Sequence, residues 1–202
     1  MFFVIDGVDG AGKSTQIDLL TECLRSLGKD VVQCRDPGGT ELGNNVRELL
    51  LNNKDIDIDP VTEMFLFMSS RSQMVRQVIM PAIESGKTVV CDRFLMATIV
   101  YQGHAGRVNI DDIRQVGQVA TAGLKANHTF VLDLPAETAL ARIDRGFDRM
   151  ESKGIDFMND VRAGFQTETK HDPESCTLID ATQSIELVAL TIRKTVQALI
   201  GS

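Results

Sequence analysis

A glycine-rich turn near the start of the chain constrains the fold more than any other segment. The run from Gly7 to Ser14 follows the apolar residues 2–5 and precedes a helical pattern. It matches the phosphate-binding loop, G-x-x-x-x-G-K-[ST], in the strand–loop–helix setting that this motif requires. Its glycines let successive backbone N–H groups face one anion, and the N-terminus of the following helix adds its dipole. The sequence therefore predicts a nucleoside triphosphate site in an α/β fold.

The positions of this loop have distinct predicted roles. Lys13 is expected to reach the terminal phosphates, and the Ser14 hydroxyl is expected to hold Mg²⁺. The other predicted nucleotide-binding positions are Gly7, Asp9, Gly10, Ala11, Gly12 and Thr15. A glycine-rich strand–helix turn without a ligand is the alternative interpretation.

Composition and charge indicate a globular protein whose basic groups act locally. The 202 residues are 43% hydrophobic and 24% charged, with a formal net charge of −7. This length suits a single domain spanning 1–202. Without a basic face, a long apolar run or a leader pattern, we expect no nucleic-acid partner, no membrane partner and a cytoplasmic location. The four cysteines form no C-x-x-C pair, which favours free thiols over a metal site.

Apolar, β-branched runs alternate with helical patterns along the chain. Strands are predicted at residues 2–5, 31–34, 88–91, 129–132 and 177–179. Helix N-caps are predicted at Asp59, Asn109 and Ser184. Helical spacing predicts that Leu27 and Leu42 face the core. The alternation favours a mostly parallel sheet with helices on both faces.

Charged residues follow the second and third predicted strands, where ligands bind in an open α/β sheet. Arg35 opens the turn R-D-P-G-G-T, and its planar guanidinium is suited to a phosphate, although a solvated turn is the alternative. Asp92 ends the third strand, where nucleoside triphosphate enzymes place a second Mg²⁺ contact, usually through water.

Two further groups of residues leave alternatives open. Phe67 and Arg71 lie four residues apart on a predicted helix, so they share one face. Either the ring stacks on a base while the guanidinium hydrogen-bonds its edge, or Phe67 is a core residue and Arg71 a surface charge. Arg142, Arg145 and Arg149 lie in and just before a polar segment bounded by glycines. This segment is expected to be a mobile loop that closes over a transferring phosphoryl group, or else a solvated basic helix end.

Taken in order, these segments resemble those of bacterial thymidylate kinases. The matched elements are VIDGVDGAGKSTQ (4–16), RDPGGT (35–40), EMFLFMSSR (63–71), DRF (92–94), ATIVYQG (97–103) and RGFDRME (145–151). The resemblance implies a three-layer α/β/α fold of the P-loop NTPase type, with a five-stranded parallel sheet and a mobile arginine-rich lid at about 144–155. It implies in-line transfer from ATP to dTMP, giving ADP and dTDP, with Mg²⁺ as cofactor. It also implies a homodimer, for which the apolar run 64–68 offers surface.

The resemblance assigns the dTMP site residue by residue. It implies that Arg35 and Arg93 hold the phosphate, that Phe67 stacks on thymine and that Arg71 hydrogen-bonds a thymine carbonyl. Tyr101 matches the ring under the sugar. The full dTMP-binding set that it implies is Asp9, Arg35, Phe67, Arg71, Arg93, Thr98, Tyr101 and Gln102.

The implied catalytic group is Lys13, Arg93 and an arginine of the lid. Some relatives carry a catalytic arginine in the phosphate loop, at the position of Gly10. The resemblance therefore assigns this role to the lid, with Arg149 as first choice and Arg145 as second. Because the attacking oxygen already belongs to an anionic phosphate, alignment and charge neutralisation are expected to replace a strong general base.

Two other functions remain open at this point. One is a kinase for another nucleotide or for a deoxynucleoside, against which Arg35 argues by favouring a phosphorylated acceptor. The other is a nucleoside triphosphate-binding regulator with slow hydrolysis. A GTPase is not favoured, because no N-K-x-D-like segment occurs in the sequence.

Overall fold

A parallel sheet forms the centre of the protein, for which the computed structural model describes residues 1–53 and 56–201. The strands in these ranges are β1 (Phe2–Gly7), β2 (Val31–Arg35), β3 (Thr88–Asp92), β4 (His128–Asp133) and β5 (Cys176–Asp180). All neighbouring strands are parallel, in the order β2-β3-β1-β4-β5. The five predicted strand positions and the parallel sheet are thereby confirmed.

Helices cover both faces of this sheet. They are α1 (Lys13–Ser26), α2 (Glu41–Arg47), α3 (Pro60–Met74), α4 (Met80–Glu84), α5 (Leu95–Thr98), α6 (Ile110–Thr121), α7 (Ala136–Ala141), α8 (Ile155–His171) and α9 (Ile185–Gly201). π-Helical segments follow α2, α3 and α5, at Glu48–Asn52, Val75–Ile79 and Ile99–Ala105. Within the two described ranges, no helix is both long enough and apolar enough to cross a membrane.

The side chains of β1 alternate between two hydrophobic layers, as the period of a strand requires. Phe3 and Ile5 pack into the larger cluster, which includes buried residues of α1, α8 and α9. Phe2 and Val4 pack on the opposite face, against α4 and the π-helical segment before it. The result is the three-layer α/β/α architecture that the sequence predicted.

Local sequence signals define several helix ends. The carboxylate of Asp59 accepts hydrogen bonds from the backbone N–H groups of Val61 (2.9 Å) and Thr62 (3.4 Å) at the start of α3. Asn109 caps α6 in the same way, and the Ser184 hydroxyl accepts from the N–H of Leu187 at 3.4 Å. The three predicted caps are confirmed, and each such cap stabilises its helix by about 1 kcal/mol.

Two leucines predicted to face the core are instead exposed. Leu42 is 48% exposed because the inward face of α2 is formed by Gly43 and Val46, and one helical residue turns the side chain by about 100°. Leu27 is 46% exposed because α1 ends at Ser26, so the helical spacing no longer sets its direction.

The carboxyl ends of β1, β2 and β3 meet at one edge of the sheet. In the strand register, Arg35 lies opposite Asp92, and Asp92 lies opposite Ile5. The chain passes from β1 to one side of the sheet for β2 and β3 and to the other side for β4, so β1 ends at a topological switch point. Open α/β sheets bind their ligands at such a crevice.

Candidate active site

The phosphate loop makes a tight turn between β1 and α1. Gly10 has φ +84°, and a Cβ built on it would lie 2.1 Å from the backbone oxygen of Ala139 in α7. At Gly7, with φ +130°, a Cβ would lie 2.5 Å from the backbone oxygen of Leu132. Only glycine fits both positions without moving the neighbouring backbone.

The ammonium group of Lys13 folds back over this loop. Its Nζ donates to the backbone oxygens of Val8 (2.9 Å) and Gly7 (3.3 Å) and lies 3.4 Å from Oδ1 of Asp9. The charge is therefore held inside the turn where backbone N–H groups collect an anion.

A first pocket, here called the loop pocket, lies over the phosphate loop. It is lined by Asp9, Gly10, Gly12, Lys13, Ser14, Thr15, Arg35, Asp36, Arg47, Asp92, Arg93 and Arg145. Two predicted nucleotide-binding residues do not line it. Ala11 is buried in the core, and the backbone oxygen of Gly7 accepts hydrogen bonds from Lys13 and Arg93.

A second pocket, here called the inner pocket, lies between β1, α3 and the segment that follows β3. Its lining is Asp9, Asp36, Pro37, Arg47, Leu51, Phe67, Arg71, Arg93, Ala97, Thr98, Tyr101, Gln102, Arg145, Asp148 and Met150. The structure thus brings together every residue of the implied dTMP set except Arg35, which lines the loop pocket. Five residues line both pockets, namely Asp9, Asp36, Arg47, Arg93 and Arg145.

Arg93 is fixed at the junction of the two pockets. One guanidinium nitrogen donates to Asp6 (3.0 Å) and to the backbone oxygen of Gly7 (2.8 Å), and the other donates to Asp9 (2.8 Å) and the Tyr101 hydroxyl (3.2 Å). Burial acts to lower the pKa of Arg93, but the neighbouring Asp9, Tyr101 and Asp6 raise it well above its usual value. A fixed positive charge therefore stands where the pockets meet.

The two aspartates beside Arg93 have opposite pKa shifts. Burial raises the pKa of Asp6 to about 6, against the opposing charge of Arg93. Burial also acts to raise the pKa of Asp9, but Arg93 and Lys13 outweigh it and hold that pKa well below its usual value. Asp9 is consequently ionised, and it accepts a further hydrogen bond from the Tyr101 hydroxyl at 3.1 Å.

Arg71 is buried, so the surface-charge alternative for this residue is wrong. Its Nε forms an ion pair with Asp36, which is also fully buried. Its Nη2 donates to Oγ1 of Thr98 (2.8 Å) and to the backbone oxygen of Phe94 (3.2 Å). Arg71 therefore joins α3 to the R-D-P-G-G-T turn and to the segment after β3. Phe67, one helical turn earlier, is both a core ring packed near Val46 and part of the inner-pocket wall.

The segment between α7 and α8 covers the inner pocket and has its own internal bracing. The buried carboxylate of Glu151 accepts from both terminal nitrogens of Arg145 (2.9 and 2.7 Å) and from the backbone N–H of Asp148 (2.7 Å). The carboxylate of Asp148 in turn accepts from the backbone N–H groups of Met150 (2.8 Å) and Glu151 (2.9 Å), just before the short 3₁₀ helix Glu151–Lys153. A bidentate pair of this kind fixes the plane of the guanidinium.

The structure places the two predicted catalytic arginines of this segment differently. Arg145 lines both pockets, whereas Arg149 lines neither. Arg149 instead donates through Nε to the backbone oxygen of Leu50 (2.8 Å) and forms an ion pair with Glu63 of α3. These contacts lead its side chain away from the junction.

Arg47 lines both pockets but was not among the residues predicted from the sequence. Its Nη1 donates to the backbone oxygen of Pro37 at 3.1 Å. Burial and the nearby charge of Arg35 lower its pKa, as expected for a site that gathers positive charge. The available signal was its position four residues after Gly43, because helical spacing of four places it on the face of α2 that packs on the R-D-P-G-G-T turn.

A phosphate loop at the switch point of a five-stranded parallel sheet, with arginines gathered around it, defines a P-loop NTPase-like α/β protein. A sequence profile described as thymidylate kinase matches residues 5–192. This chain belongs to the thymidylate kinase family.

Individual relatives support this assignment. The thymidylate kinase of an Exiguobacterium species is 48% identical over 190 residues, covering 93% of this chain and 90% of its own. That of Rhodopirellula baltica is 44% identical over 188 residues, covering 93% and 76% of the respective chains. The crystal structure of thymidylate kinase from Ehrlichia chaffeensis matches with a TM-score of 0.79 at 30% identity, over 97% of this chain and 98% of that one.

Proposed function

We propose that this protein transfers the γ-phosphoryl group of ATP directly to the phosphate of dTMP, giving ADP and dTDP. The observation that carries this proposal is the shared wall of the two pockets, to which three arginines contribute: Arg47, Arg93 and Arg145. A phosphoryl group moving between two anionic substrates needs positive charge at that junction. Membership of the thymidylate kinase family supports both the reaction and its substrates.

In this proposal ATP binds with its phosphates in the loop pocket. The backbone N–H groups from Gly10 to Thr15 cradle the phosphates, and Lys13 exchanges its backbone carbonyl partners for phosphate oxygens. The backbone N–H groups, Lys13 and the dipole of α1 then all stabilise the negative charge of the phosphates.

Ser14 and Asp92 fit the Mg²⁺ that such a reaction uses. The described residues contain no cluster of three or more His, Cys, Asp or Glu side chains that could hold a metal alone. Magnesium in nucleotide sites needs fewer protein ligands, because waters and substrate phosphates complete its shell. Oδ1 of Asp92 is buried without a hydrogen-bond partner among the described residues, and Ser14 lines the same pocket. When bound there, Mg²⁺ supplies charge neutralisation at the phosphates.

The inner pocket is proposed to hold dTMP. Phe67 supplies a ring for base stacking, Thr98 and Gln102 supply polar groups at the base edge, and Tyr101 lies below the sugar. The Arg35 side chain makes no hydrogen bond or ion pair with any described residue, so its guanidinium is available to the acceptor phosphate at the edge of the loop pocket.

Catalysis is proposed to come from alignment and charge at the junction. Arg93 holds Asp9 and Tyr101 in place, while Arg145 approaches from the covering segment, which acts as the lid over about 144–155. We further propose that the protein works as a homodimer through the exposed apolar residues of α3.

The direct test measures ADP release with ATP, Mg²⁺ and each nucleoside monophosphate or thymidine in turn, with Lys13→Ala as the inactive control. Strong preference for dTMP is expected. Turnover with another monophosphate would retain a kinase but reject the assigned base pocket, and phosphorylation of thymidine but not dTMP would reject the assigned acceptor. Nucleotide binding without acceptor-dependent turnover would replace the kinase with a regulator.

A further inference from the structure

A buried carboxylate on α3 joins the inner pocket to the lid. We propose that Glu63 is a positioning residue that does two things at once: it orients the Gln102 amide that reads the base, and it docks the lid. This inference rests on the proposed function, because the base and the lid are defined by it. Glu63 itself lines neither pocket, so its contribution passes through the residues that it holds.

The carboxylate of Glu63 contacts residues of two different elements. Oε1 accepts a hydrogen bond of 2.7 Å from Nε2 of Gln102, in the π-helical segment Ile99–Ala105. Oε2 forms an ion pair with Nη2 of Arg149, and Nζ of Lys153 lies 3.4 Å from Oε1. The side chain of Glu63 is only 1% exposed. One buried group therefore contacts both a wall of the inner pocket and two cations of the lid.

These contacts are the ionic connection between the lid and the rest of the protein. Among the ion pairs of residues 1–53 and 56–201, the pair of Arg145 stays within the lid, on Glu151, whereas those of Arg149 and Lys153 reach α3. The Arg149 side chain and backbone also donate to the backbone oxygens of Leu50 (2.8 Å) and Leu51 (3.0 Å). Breaking a buried pair of this kind leaves an uncompensated charge, so the lid is held strongly at this point.

The same carboxylate determines which way the Gln102 amide points. A carboxylate only accepts hydrogen bonds, so Gln102 must turn its NH₂ group toward Glu63 and its carbonyl oxygen elsewhere. That oxygen accepts no hydrogen bond from any residue in the described ranges, and Gln102 lines the inner pocket. Gln102 thus presents a hydrogen-bond acceptor to the inner pocket. An acceptor suits the ring N3–H of thymine and disfavours cytosine, whose ring N3 is itself an acceptor.

Sharing one carboxylate couples the two tasks. A base that hydrogen-bonds to a correctly oriented Gln102 favours the arrangement in which Glu63 also holds the lid. By linkage, a docked lid favours the same orientation of Gln102 by an equal free energy. Acceptor binding and lid docking therefore support each other through Glu63.

The first test is Glu63→Gln, which keeps the volume but removes the charge. A glutamine at this position can donate to or accept from Gln102, so the orientation of that amide is no longer fixed. We expect the KM for dTMP to rise roughly ten-fold or more, as for loss of a buried charged hydrogen bond. The preference for dTMP over dCMP, compared as kcat/KM, should fall, while the KM for ATP should change little.

The second test observes the lid directly. The chain contains no tryptophan, and Phe147 in the lid is 41% exposed, so Phe147→Trp introduces a single tryptophan reporter that can be excited selectively. In this background, Glu63→Gln should increase acrylamide quenching and reduce the change in quenching that dTMP produces. Arg149→Met, which removes the lid side of the pair, should have the same effect on quenching.

A matched control is available on α8. Glu168 is also a buried glutamate. It forms an ion pair with Arg114 and a hydrogen bond with His104, but it lines neither the loop pocket nor the inner pocket. Glu168→Gln should leave the KM for dTMP, the preference over dCMP and the quenching of the reporter at parental values.

The outcomes separate this inference from the proposed function. If the parent shows no dTMP-dependent turnover, the proposed function fails, but quenching without substrate still tests lid docking. If the parent is active and Glu63→Gln keeps parental KM, selectivity and quenching, the inference is overturned. Should Glu63→Gln not fold, unchanged quenching and unchanged KM for dTMP in both Arg149→Met and Lys153→Met would overturn it equally.

Discussion

The first prediction concerns the arginines near the junction of the loop pocket and the inner pocket. Arg145 lines both pockets, whereas Arg149 is held by Glu63 and the Leu50 carbonyl. Arg145→Ala should therefore lower kcat by about 10²–10³-fold with a modest change in the KM for dTMP, because a transition-state contact is lost. Arg149→Ala should mainly raise the KM for dTMP. Steady-state kinetics with both substrates test this prediction. A larger loss of kcat in Arg149→Ala than in Arg145→Ala would contradict it and support the order predicted from the sequence.

The raised pKa of Asp6 predicts a pH dependence of stability. Burial raises this pKa from 3.8 to about 6, so between these values the folded protein binds a proton that the unfolded chain has released. The contribution of Asp6 to the free energy of unfolding is thus greatest below about pH 4 and is lost as the pH rises through 6. The loss is about 2–3 kcal/mol.

Urea unfolding from pH 4 to pH 7.5 checks this dependence. Asp6→Asn should remove it, so that the difference in free energy of unfolding between variant and parent shifts in favour of the variant as the pH rises. Parallel pH profiles for the two proteins would show that Asp6 does not titrate as described. Asp9 does not interfere in this range, because its pKa lies below its usual value.

Several site residues illustrate what the sequence does not contain. The phosphate loop could be predicted from the sequence, because its glycines and Lys13 lie within one short segment. The ion pair of Arg71 with Asp36 joins residues 35 positions apart, and helical spacing gives only the face of the helix, not the distant partner. The contacts of Glu63 with the lid join residues 86 and 90 positions apart, so they depend on the assembled fold.

The packing of α7 on the phosphate loop gives the next prediction. A Cβ at Gly10 would lie 2.1 Å from the backbone oxygen of Ala139, and φ is +84° there. A side chain at this position must displace α7 or the loop, so an arginine does not fit here, which agrees with the catalytic role proposed for a lid arginine. Gly10→Ala should cost about 2 kcal/mol or more of stability and reduce kcat.

Gly146→Ala is the matched control for this substitution. Gly146 lies in the lid, has open space around its Cα and no positive φ, so alanine should leave the Tm and kcat close to parental values. Thermal unfolding and kinetics of the two variants give the comparison. If the Gly10→Ala protein were as stable and active as the Gly146→Ala protein, α7 would accommodate the added Cβ at little cost, and the prediction would be wrong.

Helix ends were more predictable than helix interiors. Asp59 and Asn109 cap their own helices, so the signal lies within three residues of its effect. The π-helical segments Glu48–Asn52 and Ile99–Ala105 were not predicted, because a 3.6-residue pattern does not reveal where tertiary packing widens a turn. Ile99–Ala105 carries Gln102, and Glu48–Asn52 presents the Leu50 carbonyl to the lid. Two of the three π-helical segments thus lie where the proposed substrate and lid are held.

The apolar surface of the whole molecule carries the last prediction, which concerns the proposed homodimer. Of the apolar run on α3, Met64 and Met68 pack against α6 within a buried cluster. Phe65 stays 51% exposed, and Val119 on α6 is 76% exposed. Large apolar side chains left exposed on two helices that pack together are typical of a protein interface.

Phe65→Glu should convert the proposed dimer to a monomer. It removes apolar contact area and places a charge in the interface, so the dissociation constant should rise by roughly 100-fold or more. Sedimentation velocity over a concentration series measures this shift. Leu187→Glu is the control, because Leu187 is equally exposed on α9, away from α3 and α6, and should leave the dimer intact. A parent that is monomeric at all concentrations, or a Phe65→Glu protein that dimerises like the parent, would contradict an interface on α3.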